Sequence, residues 1–227
     1  MEHRTIVVSP KNSYTTNGGV FEGWGTSLCW WANRLGYSDK LSKMAAELMF
    51  NPERLGLNIM RYNIGGGDDP THRHITRTDS MIPGWLEYNS ETGEYNYNRT
   101  ADARQLNVLK CCVEEAGEDA YVEVFSNSPP YFWTVSGCSS GNADASTDNL
   151  KPECCKQFAD YLANVTAYIN NELGINVKSL APMNEPNTSN WFAFNRKQEG
   201  CHVDAGESQS NIICDCYDAL RKYGLMT

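Results

Sequence analysis

The chain has 227 residues, 41% of them hydrophobic and 11% aromatic, which is enough for one packed globular domain and too rich in core-forming side chains for a disordered segment. Nineteen Lys and Arg against 28 Asp and Glu give a formal net charge of −9, so neither a nucleic-acid backbone nor an anionic bilayer is an expected partner. No stretch approaches the roughly 20 apolar residues of a membrane span, and the first residues lack the apolar centre of about 7–15 residues found in signal peptides. Localisation is left open between the cytoplasm and export directed by a further segment.

In chain order, residues 20–24 read as a first strand. Ser38 then serves as the N-cap of a helix that places Leu41, Met44, Ala45, Leu48 and Met49 on one face. Residues 57–64 form a second strand. A second helix starts from an N-cap at Thr100, runs through Leu106, Leu109, Val113 and Ala116, and stops at Gly117. Residues 121–125 form a third strand. A third helix opens with Pro152 in its first turn, carries Cys155, Phe158, Leu162, Val165 and Ile169 on one stripe, and ends at Gly174. Residues 175–183 make a fourth strand, and a fourth helix bears Ile212, Ile213, Cys216 and Leu220 before Gly224.

Strand followed by helix throughout requires right-handed crossovers and a parallel sheet, so the class is α/β. The connections are lopsided. Those from helix to strand are a few residues long, whereas those from strand to helix take residues 65–99, 126–151 and 184–206. In a (β/α)8 TIM barrel the face at the C-terminal strand ends carries the active site, and an open parallel sheet binds ligands there too. Gly65-Gly66-Gly67 runs into Asp68-Asp69, whose carboxylates repel phosphate, which disfavours a nucleotide-binding sheet. Four strand-helix units are half of eight. Residues 20–227 are therefore expected to be the N-terminal half of a barrel, completed by a C-terminal half of the same barrel.

The nine cysteines are odd in number and include the adjacent pairs Cys111-Cys112 and Cys154-Cys155, a poor disulfide framework. Reduced thiols are expected, with a Cys138–Cys154 bridge left open. His72 and His74 flank Arg73, and Cys201-His202 precede Cys214-x-Cys216, but no Cys-x-x-Cys pair accompanies them. Neither a metal nor a cofactor is expected.

Three strand ends could carry chemistry. Pro182-Met183-Asn184-Glu185-Pro186 delivers an amide and a carboxylate to the rim, as would an ordinary turn. Arg61 lies in a strand of apolar neighbours, where a buried guanidinium needs a carboxylate partner. Pro129-Pro130-Tyr131-Phe132-Trp133 sets aromatic rings after a rigid corner, suited to loop packing or to stacking on a pyranose. All six tryptophans (Trp24, Trp30, Trp31, Trp85, Trp133 and Trp191) fall near strand ends or in the loops after them, which favours a carbohydrate cleft.

In register, Gly23-Trp24-Gly25-Thr26-Ser27-Leu28-Cys29-Trp30-Trp31-Ala32, the segment from Met60 to Asp68, Asn127-Ser128-Pro129-Pro130, Pro182-Met183-Asn184-Glu185-Pro186 and Gln198-Glu199-Gly200-Cys201 resemble glycoside hydrolase family 30, nearest its endo-β-1,6-galactanase-like branch. The resemblance implies a (β/α)8 barrel with a small β-sandwich beside it, to which residues 1–19 could contribute. It also implies a retaining mechanism with two glutamates and an oligo- or polysaccharide substrate. It makes Glu185 the acid/base and gives substrate-binding roles to Asn184, Arg61, Asp68, Tyr131 and Trp30. The family's nucleophile lies at a seventh strand, so it is expected outside this chain. A non-catalytic or degenerate carbohydrate-binding module stays open, as does a thiol or zinc protein using Cys201, His202, Cys214 and Cys216.

Overall fold

The computed structural model describes Thr5, Ser9 and residues 19–71 and 73–225. The expectation for residues 1–19 and the place of His72 therefore fall outside the described residues, apart from Thr5, Ser9 and Gly19. In chain order the main elements are β1 (Gly25–Ser27), α1 (Trp31–Leu35), α2 (Asp39–Phe50), β2 (Ile59–Asn63), β3 (Leu86–Asn89) and β4 (Glu94–Tyr97). They continue with α3 (Ala103–Ala116), β5 (Tyr121–Phe125), α4 (Cys155–Ala167), β6 (Val177–Ala181) and α5 (Glu207–Lys222).

Among the described residues β1, β2, β5 and β6 pair in that order, every pair parallel, and each strand is followed by a helix. The expected class and the parallel neighbours in the second, third and fourth strands are found. The packed face of the sheet follows from period-two alternation. Met60, Tyr62, Val122 and Val124 are fully or almost fully buried, in one core with Ala46 and Phe50 of α2, Leu109 and Cys112 of α3 and Phe158 and Leu162 of α4. The other face is half open and partly polar. Ser27, Arg61, Glu123 and Ser179 stand in register across all four strands.

Some boundaries differ from expectation for identifiable reasons. The first strand is displaced to β1, while Val20, Phe21 and Trp24 are exposed. Pairing begins at Gly25 because the backbones come close there: an added Cβ would sit 2.3 Å from the Ile59 carbonyl oxygen. Ser38 caps α2 as expected, accepting the Leu41 N–H at 3.4 Å. Thr100 does not cap α3, because its hydroxyl and N–H both bond to Asn98 Oδ1 and the helix starts after Asp102. The region taken as one loop over residues 65–99 holds the antiparallel hairpin β3–β4. Beyond α4 the chain makes one wider turn, Tyr168–Glu172, before Gly174 at φ +68° ends it. All nine cysteines carry free thiols, and Cys138 lies against His74 rather than bonding to Cys154.

Candidate active site

The rim is formed by the segments that follow β2, β5 and β6, and buried polar groups join them. At the end of β2, Asn63 Oδ1 accepts both the backbone and side-chain N–H of Asn127, while Asn63 Nδ2 donates to Glu199 Oε2 at 3.2 Å. Glu199 Oε1 accepts the N–H groups of Gly66 (2.8 Å) and Gly67 (3.1 Å). Tyr131 N–H in turn donates to the Gly66 carbonyl at 3.2 Å. Gly66 is required at this crossing, since a Cβ there would lie 2.3 Å from the Pro129 carbonyl oxygen. Glu199 is fully enclosed, and burial pushes its pKa up to about 8 although three N–H donors oppose the shift.

Arg61 forks between two strands. Its Nε donates to Glu123 Oε1 at 2.6 Å and its Nη1 to Asn184 Oδ1 at 3.1 Å, while its guanidinium carbon stands 3.6 Å over the Phe125 ring. Ser179 Oγ holds the other Glu123 oxygen at 3.2 Å. The carboxylate partner expected for Arg61 is thus Glu123, and the pair is partly exposed on the open face rather than buried.

Glu185 follows directly, exposed, with its backbone at φ +48°, a conformation that costs a non-glycine residue about 1–3 kcal/mol and recurs at functional sites. The fold holds it there from behind: its carbonyl accepts the Trp191 indole N–H and the Thr188 N–H, both at 3.2 Å. Asp68 and Tyr131 line a cleft of about 520 Å³ with Ile82, Tyr88 and neighbouring residues. Burial and the nearby Asp69 and Asp68 raise the Tyr131 pKa, so its hydroxyl keeps a proton to donate.

The structure thus joins Arg61 to Asn184, places Glu185 next in the chain, and brings Asp68 and Tyr131 into one cleft. Trp30 is only 9% exposed, which leaves little ring surface for a ligand. The expectation drawn from the tryptophans is corrected. Trp85, Trp133 and Trp191 are core residues, and exposed Trp24 precedes β1 at the opposite end of the sheet from the rim.

Glu123 and Glu199 did not stand out as site residues in the sequence. Glu123 carried a signal, since a lone charge in Tyr121-Val122-Glu123-Val124-Phe125 pairs in register with the lone charge of β2. His202, Asp148 and Asp204 bring an imidazole and two carboxylates within 4.8 Å of one another. Each is already engaged. His202 meets the Thr188 carbonyl and Asp204, and Asp148 accepts the Asp204 N–H and the Ser208 hydroxyl at the start of α5. Cys214 is exposed and Cys216 faces the core, so the thiol–zinc set of the sequence reading is not gathered in one place.

Comparison with known proteins agrees with the motifs. The family described as O-Glycosyl hydrolase family 30 matches residues 3–216. The chain is 31% identical over 219 residues to an endo-beta-1,6-galactanase of Hypocrea rufa, covering 88% of this chain and 43% of that protein. It is 28% identical over 243 residues to an exo-beta-1,6-galactobiohydrolase of Bifidobacterium longum subsp. longum, covering 84% and 16% respectively. Its fold superposes on the crystal structure of a conserved exported protein from Bacteroides fragilis with a TM-score of 0.74 and 25% identity, covering 89% of this chain and 41% of that one. The chain spans less than half the length of these relatives. With a family match along nearly all of its residues, it belongs to O-glycosyl hydrolase family 30.

Proposed function

We propose that the chain is the N-terminal half of a (β/α)8 catalytic barrel in a retaining glycosidase that cleaves β-linked galactan-like glycans. The observation that carries this reading is the Arg61 fork, which ties Asn184 at the end of β6 to β2 and Glu123, immediately before Glu185. The half-open inner face of the sheet supports a partner half, because strands of a closed barrel are covered on both sides. The β-1,6-galactose activities named for the two relatives support the substrate class.

In this mechanism Glu185 protonates the departing glycosidic oxygen. A carboxylate supplied by the other half, ~5–5.5 Å away, attacks the anomeric carbon, and Glu185 then activates the water that releases the sugar. Asn184, oriented by Arg61, contacts a sugar hydroxyl, while Asp68 and Tyr131 bind further hydroxyls. Among the described residues no helix is long and apolar enough to cross a membrane.

The test uses the full-length protein that carries this chain, with β-1,6-galactooligosaccharides as substrate and NMR to follow the anomer first released. A retained β anomer is expected. Glu185→Gln should lower turnover at least a hundredfold on the oligosaccharide and much less on an activated aryl galactoside, whose leaving group needs little protonation. Equal losses would remove Glu185 from the acid role, and binding without cleavage by wild type would return the non-catalytic module.

A further inference from the structure

Asp68 is held by more than its own loop. Its Oδ1 accepts the Asp69 N–H at 3.0 Å and lies 2.8 Å from His74 Nδ1, while its Oδ2 accepts the His74 backbone N–H at 3.1 Å. An ionised carboxylate only accepts, so the close contact assigns a proton to Nδ1 of His74 and, in the neutral ring, leaves Nε2 as a lone pair.

That lone pair lies 3.1 Å from Sγ of Cys138, a wholly buried thiol. The thiol can donate to Nε2, while its sulfur accepts the Phe194 N–H at 3.2 Å. Ser140 Oγ, 3.0 Å from the same sulfur, donates to the Phe192 carbonyl and accepts the Asn195 N–H. One hydrogen-bonded line thus crosses the rim. It starts at Asp68 and His74 after β2, passes Cys138 after β5, and ends at Phe194 in the segment after β6 that contains Glu185.

Of the four lone-pair positions of the Asp68 carboxylate, two on Oδ1 and one on Oδ2 are taken among the described residues. Asp68 also lines the cleft that it shares with Tyr131. We propose that His74 and Cys138 are positioning residues, fixing the Asp68 carboxylate so that a single Oδ2 lone pair is offered to one sugar hydroxyl in that cleft. This assignment rests on the glycan-binding reading of the site. It makes Cys138 a hydrogen-bonding thiol whose value lies in orienting His74 rather than in attack on substrate.

Isosteric pairs test it in the full-length protein, with β-1,6-galactobiose as the probe and both Kd by calorimetry and KM and kcat by turnover. His74→Asn keeps an amide donor where Nδ1 stands and should leave Kd and KM within about threefold. His74→Gln places its amide near Nε2 instead and should weaken both about tenfold with kcat little changed, the size expected for one lost charge-assisted hydrogen bond. Cys138→Ser keeps a donor to Nε2 and should rescue the weaker binding seen with Cys138→Ala. Equal losses for Asn and Gln, or a fall in kcat at constant KM, would overturn the proposal. Should the variants misfold, the nitrogen NMR shifts of wild-type His74 decide, with the proton on Nδ1 in support and on Nε2 against. A wild type that binds galactobiose without cleaving it would overturn the glycosidase reading, and the Kd ratios would still judge this one.

Discussion

Replacing Glu199 with glutamine probes the carboxylate that clamps the β2 and β6 segments together. Burial raises its pKa to about 8 from an ordinary 4.5. Between those values the folded protein holds a proton that the unfolded chain has released, so folding stability is highest at low pH and falls as pH rises through the window until about 8. At 1.36 kcal/mol per unit, the whole window is worth up to about 5 kcal/mol. Asp102, also raised by burial, to about 7, titrates within the same range and keeps its own share in the variant.

Glutamine preserves the volume and the oxygen that receives the Gly66 and Gly67 N–H groups, but it turns an amide toward Asn63 Nδ2. Asn63 cannot flip to meet it, because its Oδ1 already accepts both Asn127 donors. The mismatch costs about 1–2 kcal/mol at every pH. Urea unfolding of both proteins at intervals from pH 5 to pH 8 should therefore find the variant less stable at pH 5 and more stable than wild type by pH 8. Stability profiles that stay parallel across this range would refute the reasoning, because the variant would then have removed no titration.

Two further substitutions test the packing. Gly66→Ala would set a Cβ 2.3 Å from the Pro129 oxygen and should cost at least about 3 kcal/mol, whereas Gly93→Ala, at φ +73° with nothing within 4 Å, should cost only about 1 kcal/mol; similar falls in Tm would contradict the close crossing. Tyr62→Phe removes the hydroxyl that donates to Asp102 at 2.5 Å, leaving that buried carboxyl chiefly to Gln105, and should lower unfolding free energy by about 2–3 kcal/mol in denaturant titrations; an unchanged value would show that the bond contributes nothing net.

Residues that act through local pattern were legible in the sequence. The apolar stripes of α3 and α4 and the stops at Gly117, Gly174 and Gly224 depend on neighbours within a few positions, and they are where the periodicity put them. By contrast, α2 buries Ser42, Ala46 and Phe50 and leaves Met44 and Leu48 of its expected stripe exposed, and α5 buries Ile212 and Cys216 but leaves Ile213 exposed. The β3–β4 hairpin was also locally encoded, by Tyr88, Tyr95 and Tyr97 flanking the turn at Thr92-Gly93, but lay within a stretch whose glycines and prolines read as loop. Partners far apart in sequence were not legible. Glu123 meets Arg61 across 62 positions and Glu199 meets Gly66 across 133, distances at which only the fold itself brings residue types together. The tryptophans show the opposite hazard, since closeness to a strand end in sequence does not say whether a ring faces a cleft or the core.

The cross-bonding of the three post-strand segments limits how such a protein can acquire a new preference for its ligand. Transplanting one segment from a relative would strand the glycine amides that Glu199 serves, the Asn63 amide that Asn127 engages, or the sulfur that receives Phe194 N–H. Each graft would arrive with buried donors and acceptors cut from a different pattern. Segments after β2, β5 and β6 must therefore be inherited or exchanged as one set, so chimaeras that move all three together should fold where single-segment grafts fail.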